Sequence, residues 1–85
     1  MDCIHQLIPA LSQILREERE KLGLSRTELA VRSNVSAPHI KAIEYSQRTP
    51  TITVFVLLAS GLGIAPDALI KMVMQRQAYL KDKNA

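Results

Sequence analysis

The chain of 85 residues is long enough for one small domain and too short for two. Hydrophobic residues make up 47%, which excludes a disordered chain, and with 4% aromatics and no Trp the core must be aliphatic. A net charge of +3 permits a polyanionic partner, and one cysteine, Cys3, excludes an intrachain disulfide and a cysteine-built metal site.

Glycine and proline are scarce, so each one marks an expected boundary. The first helix is expected from about Pro9 to Leu22, with Pro9 in its first turn and Gly23 as its stop. Leu11, Leu15, Arg19 and Leu22 share a face, and Glu17, Glu18 and Glu20 face water. Before Pro9, the residues Ile4, Leu7 and Ile8 continue the apolar stripe. They form an extra turn or a separate short helix, because a proline clashes with the carbonyl four residues back.

Ser25 with Glu28 three residues on is a capping box, and it opens the second helix. Leu29 and Ala30 face the core, and Asn34 suits a left-handed turn at Ser33-Asn34-Val35. Ser36 caps a third helix, with Pro38 in its first turn and Ile40 and Ile43 spaced for burial. The fourth helix starts after Pro50-Thr51, at Ile52 or Thr53, and ends near Gly61, with Gly63 in the turn. The fifth opens near Pro66-Asp67 and runs to about Leu80. The expected class is all-α, with one domain over 1–80 and a frayed tail over 81–85.

Five helices with this tight turn resemble the phage Cro/repressor-type (XRE-like) helix-turn-helix family, over roughly Leu11 to Leu69. "REEREKLGLSRTELA" is similar to the family's first helix, its Gly-Leu-Ser stop and the start of its second helix. "NVS" stands for its Gly-Val-Ser turn, with Asn34 in place of glycine. "IKAIEYSQRTP" matches its Ile-x-x-Ile-Glu-x-Gly-x-x-x-Pro run, with Ser46 in place of glycine. "LLASGLGIAPDAL" resembles its fourth-helix segment. The resemblance implies a five-helix domain with a short extra N-terminal segment. Ala30 would sit where helices two and three cross closely, and Arg19 and Glu44 would form a buried structural ion pair. Ser46 would either adopt a positive φ or redirect the loop that follows.

The same resemblance implies a DNA-binding face. The start of the third helix offers Ser36, Ala37, Pro38, His39 and Lys41 to base edges. None is Arg, Gln or Asn, so bidentate base readout is limited and thymine methyls and groove shape carry more weight. Arg26 at the start of the second helix, Tyr45, and Gln47, Arg48 and Thr49 in the loop are candidates for phosphate contact. Four of the eleven Lys and Arg fall between Ser25 and Pro50, against Glu28 and Glu44.

The fourth helix is apolar on nearly every side, with Val54 and Leu57 where the family pattern usually holds polar residues. With Leu58, Ile70, Met72 and Met74 they form the expected homodimer interface, which would set two reading helices on a palindromic operator. The expectation is thus a small sequence-specific transcriptional regulator, an autoregulatory repressor or controller, without metal or cofactor. The alternatives are a protein–protein module on the same fold and an antitoxin whose segment from Gln75 onward is disordered alone. A protein antagonist is a further conceivable partner. No Gly-rich phosphate loop, paired catalytic carboxylates or Cys–His pair with an orienting group argues for an enzyme. The longest apolar run, Val54 to Ala59, is too short to span a bilayer, and Asp2 leaves no basic leader start, so a cytoplasmic protein is expected.

Overall fold

The computed structural model describes residues 2–84, and side chains from Gln6 to Lys83. The Cys3 thiol and the His5 side chain, both considered above, lie outside the described residues. Five helices follow one another: α1 (Asp2–Lys21), α2 (Arg26–Ser33), α3 (Ala37–Glu44), α4 (Ile52–Leu62) and α5 (Pro66–Asn84). Among the described residues there is no strand.

Two boundaries differ from expectation. α1 is a single helix through Pro9, not a helix with a separate preceding turn. Proline removes one backbone bond there, yet Leu7, Ala10 and Leu11 continue the buried stripe on both sides of it, and that packing holds the helix together. α5 is helical through Asn84, past the point at Lys81 where a frayed tail was expected. Leu80, just before this last stretch, packs against the core.

The stops follow from local chemistry. At the end of α1, Gly23 has φ 69. Its N–H bonds the Glu20 carbonyl at 2.9 Å, and the Leu24 N–H bonds the Arg19 carbonyl at 3.2 Å. That is the Schellman arrangement, which satisfies carbonyls a helix end leaves open. Gly63 ends α4 in the same way, with φ 72 and with Gly63 and Ile64 N–H groups bonded to Ser60 and Ala59. Leu22, expected on the core face, is half exposed because the chain turns outward one residue before Gly23.

α1 packs chiefly against α5, and α2 against α4, with α3 lying on α1 and α2. The core is aliphatic throughout: Leu11, Ile14 and Leu15 of α1, Leu29 of α2, Ile40 and Ile43 of α3, Leu58 and Leu62 of α4, Leu69 and Val73 of α5. Ala30, expected where α2 and α3 cross, is half-buried, and a tight approach of α4 to α2 falls at Gly61. A Cβ built on Gly61 would lie 2.8 Å from the Ser33 Cβ, so only glycine lets α4 reach α2 at this depth. No single helix among the described residues is long and apolar enough to cross a membrane.

Candidate nucleic-acid interface

The turn between α2 and α3 is built by a few side chains. The Ser25 Oγ accepts the Glu28 N–H at 3.0 Å, and the Glu28 carboxylate accepts the Ser25 N–H at 2.8 Å, closing the capping box. These bonds hold the exposed Glu28 carboxyl below its ordinary pKa, the Ser25 backbone contributing most. Asn34 takes the left-handed conformation with φ 61 and donates its N–H to the Ala30 carbonyl at 2.8 Å. Asparagine tolerates that region better than most residues, which is why it can stand where glycine is usual. Ser36 then caps α3 by accepting the His39 N–H at 3.3 Å.

The outward side of α3 carries the residues expected to read DNA. Ser36, Pro38, Lys41 and Tyr45 are exposed, and Ala37 and His39 are half-buried. Ile40 and Ile43 face inward at 2% and 0% exposure, which fixes the helix's rotation. Gln47, Arg48 and Thr49 are exposed in the loop after α3. Arg48 returns toward the helix and lines a recess of about 330 Å³ with Ser36, Pro38, His39 and Ala42. Loop and helix start therefore form one surface.

That loop keeps the Schellman stop despite its serine. Ser46 has φ 60, and its N–H bonds the Ile43 carbonyl at 3.1 Å. The Gln47 and Arg48 N–H groups both reach the Ala42 carbonyl, at 2.8 and 3.2 Å. The positive φ is adopted, so the loop is not redirected.

Arg19 and Glu44 form the buried pair that the resemblance implied. Arg19 Nε donates to Glu44 Oε2 at 2.7 Å and Nη2 to Oε1 at 3.0 Å, while Nη1 donates to the Leu24 carbonyl at 2.8 Å. The bond to Glu44 raises the Arg19 pKa further above its ordinary value. The pair ties α1 to the end of α3 and to the loop before α2.

Arg26 joins the same carboxylate. Its Nε donates to Glu44 Oε1 at 3.0 Å, and its guanidinium lies 5.4 Å from the centre of the Tyr45 ring. It is thus part of the ion-pair cluster, which engages its Nε and leaves its side chain partly accessible. The first-turn position puts it near Glu44 because α2 and α3 cross there. The Lys41 ammonium sits over the same ring at 5.7 Å, so Tyr45 gathers two cations at the edge of the reading face.

The helix-turn-helix family model matches residues 15–69 of the chain, from the middle of α1 to the first turn of α5. The chain belongs to the helix-turn-helix family, of the Cro/repressor type. As a member it is a DNA-binding transcriptional regulator and not an enzyme. No curated protein sequence matches it significantly. Among solved structures it is similar to the restriction-modification controller protein C.Esp1396I. One such structure, a tetramer in complex with its natural 35 base-pair operator, is 25% identical with a TM-score of 0.79, covering 85% of this chain and 95% of that one. A second, bound to a 19 base-pair duplex, is 26% identical with a TM-score of 0.76, covering 82% and 93%. A third, of the wild-type controller protein, is 26% identical with a TM-score of 0.76, covering 82% and 90%.

A second surface of this helix-turn-helix protein is apolar. Ile52 is 82% exposed, Val56 43%, Ile70 42% and Met74 48%. Beside them runs a groove of about 460 Å³, walled by Leu7, Ile8, Phe55, Val56, Pro66 and Ile70 among others. The expected interface set is only partly on this surface. Leu58 is 1% exposed and belongs to the core, which corrects its assignment. Val54, Leu57 and Met72 pack partly against the chain's own core, whereas Ile70 and Met74 face outward as expected. Ile52 and Val56, which that set omits, are exposed on the same surface. In a helix apolar all round, no polar face marks which residues point in.

Sequence reading also missed Ser12 and Arg76. Ser12 is buried and bonds the Ile43 carbonyl at 2.7 Å. Arg76 of α5 donates to both Glu17 oxygens at 2.7 and 2.8 Å and to Gln13 at 2.8 Å, so Glu17 does not simply face water. Both contacts join residues far apart in sequence, and no local pattern signals them.

Proposed function

We propose that this protein is an autoregulatory repressor or controller that binds an inverted-repeat operator as a homodimer. The observation that carries the reading is the joint surface of α3 and its following loop. Exposed Ser36, Pro38 and Lys41 lie on the face of α3 beside Arg48, which shares a recess with the first two, and Ile40 and Ile43 lock the helix at that rotation. In the family, such a helix enters the major groove and its flanking loop grips the backbone. C.Esp1396I, which shares this fold over most of its length, is described on its operator as a tetramer.

Base reading rests on a small set of groups. Lys41 and His39 supply hydrogen bonds, while Ala37 and Pro38 supply apolar contact to thymine methyls. Backbone positioning comes from Arg48, Gln47 and Thr49, and from the terminal nitrogens of Arg26, whose Nε is held by Glu44. The dimer forms through Ile52, Val56, Ile70 and Met74, with the outer edges of Val54, Leu57 and Met72. Pairing on that surface would cover the apolar area that a lone chain leaves in water. Two-fold pairing sets the reading helices about 34 Å apart, one DNA turn.

The antitoxin reading has less support. It needs a segment from Gln75 onward that is disordered alone, and that segment is helix here, tied to α1 by Arg76 and Glu17. A cytoplasmic location fits a regulator of this kind.

The test is the salt dependence of binding. Two to four phosphate contacts per protomer correspond to a slope of log K against log salt of about −4 to −7 per dimer. Arg48→Ala should flatten the slope and weaken all sequences alike. Failure to bind duplex DNA at low salt, or binding without salt dependence, contradicts the proposal.

A further inference from the structure

The loop that presents Arg48 begins at Ser46, in a backbone conformation with φ 60 that glycine adopts without strain. A serine there must be held by something. Its Oγ lies 2.8 Å from the Oγ of Ser12, a residue of α1 that is 5% exposed. Ser12 has one hydroxyl proton, and it points to the Ile43 carbonyl at 2.7 Å. The direction of the second bond follows. Ser46 donates to Ser12, and Ser12 donates to Ile43.

The Ile43 carbonyl also accepts the Ser46 backbone N–H at 3.1 Å. The three groups therefore close a ring: the Ser46 hydroxyl to Ser12, Ser12 to Ile43, and Ile43 back to the Ser46 amide. The ring clamps the last turn of α3 to α1. It also fixes the chain two residues before Arg48, whose own amide shares the Ala42 carbonyl with Gln47. A glycine at 46 would keep the backbone stop and the Ser12–Ile43 bond but lose the hydroxyl tie from the loop to Ser12.

We propose that Ser12 and Ser46 are positioning residues for DNA binding: their hydroxyl bond holds the Gln47–Thr49 loop so that Arg48 meets a backbone phosphate beside the groove. This rests on the DNA-binding reading of α3. Neither serine contacts DNA in the proposal; both act through Arg48. Serine at a left-handed position is therefore a coupling between the scaffold helix and the gripping loop.

The experiment compares Ser46→Gly and Ser12→Ala with wild type, each with and without Arg48→Ala, by fluorescence anisotropy on an operator duplex obtained by selection. Glycine accepts φ 60, so Ser46→Gly should stay folded and melt within a few degrees of wild type. It should bind at least about tenfold more weakly per dimer, because a hydrogen bond to a charged group, itself worth about tenfold or more, is loosened in each protomer. In the Arg48→Ala background the same change should produce no further loss. Ser12→Ala, which also loses the bond to Ile43, should bind at least as weakly as Ser46→Gly, and the double variant should be no weaker than Ser12→Ala. Wild-type affinity in Ser46→Gly overturns the positioning role alone, as does an undiminished loss without Arg48. A wild-type protein that binds no duplex overturns the DNA reading and this inference with it.

Discussion

Arg19 and Glu44, twenty-five residues apart, meet as a two-bond ion pair at 2.7 and 3.0 Å, with the Glu44 side chain wholly buried. Removing Arg19 leaves the buried Glu44 charge with only the more exposed Arg26 as a partner. Arg19→Met should therefore cost about 3–5 kcal/mol of stability. Arg26 shares Glu44 from a more exposed position, with 29% of its side chain accessible. Arg26→Ala should cost at most about 1 kcal/mol, because solvent screens such a contact. Urea unfolding of the two variants distinguishes them. Equal losses would contradict the assignment of Arg19 as the primary partner.

Gly61 is the contact point of α4 with α2. Gly61→Ala would set a methyl 2.8 Å from the Ser33 Cβ and 3.1 Å from its Cα, so backbone must shift. Overpacking of this kind costs about 1–3 kcal/mol. Gly63 has open space around it but a φ of 72, so Gly63→Ala carries backbone strain alone, about 1 kcal/mol. Thermal denaturation should rank Gly61→Ala below Gly63→Ala. The reverse order would mean that α4 is free to move away from α2.

How much of this was legible in the sequence depends on the range of the chemistry involved. Ser25 with Glu28, Asn34, Ser36 and Gly63 act within four residues of themselves, and each stands where its side chain or backbone indicated. Arg19 with Glu44 was accessible only through resemblance to a family, since nothing local joins the two positions. The inward side of α4 was not readable: Val54, Leu57 and Leu58 look alike in an apolar run, and packing on α2 and α5 chose among them. The continuity of α1 through Pro9 was hidden for the same reason, because the burial that sustains it comes from α5.

The Glu17–Arg76 contact should appear in the pH dependence of stability. Hydrogen bonding from Arg76 holds the Glu17 carboxyl below the ordinary carboxylate range. A group depressed in the folded state adds stability above its unfolded pKa, and that stability is lost as pH falls through the folded pKa. Wild type should exceed Glu17→Gln at neutral pH and converge with it in acid. With 44% of the Glu17 side chain exposed, the difference at neutral pH should not exceed about 1 kcal/mol. Melting curves from neutral pH down into strong acid provide the comparison. A gap that stays constant with pH would contradict the contact.

The proposed dimer surface separates from the core within two residues of α4. Val56 is 43% exposed and Leu58 is 1% exposed. Val56→Glu should give a folded monomer, helical by circular dichroism, with weakened operator binding. Leu58→Glu should unfold, since an unpaired charge cannot be kept in an aliphatic core. Sedimentation at micromolar concentration is the check. A Val56→Glu protein that remains dimeric would place the interface elsewhere.

In the proposed function, α3 reads DNA in two-fold symmetric pairs. Selection of random duplexes with the purified protein tests it most directly. The expected outcome is an enriched inverted repeat, with half-site centres about 10–10.5 base pairs apart, and loss of that enrichment in the Val56→Glu monomer. Recovery of no preferred sequence, or of an unsymmetrical site that the monomer binds equally well, would contradict it.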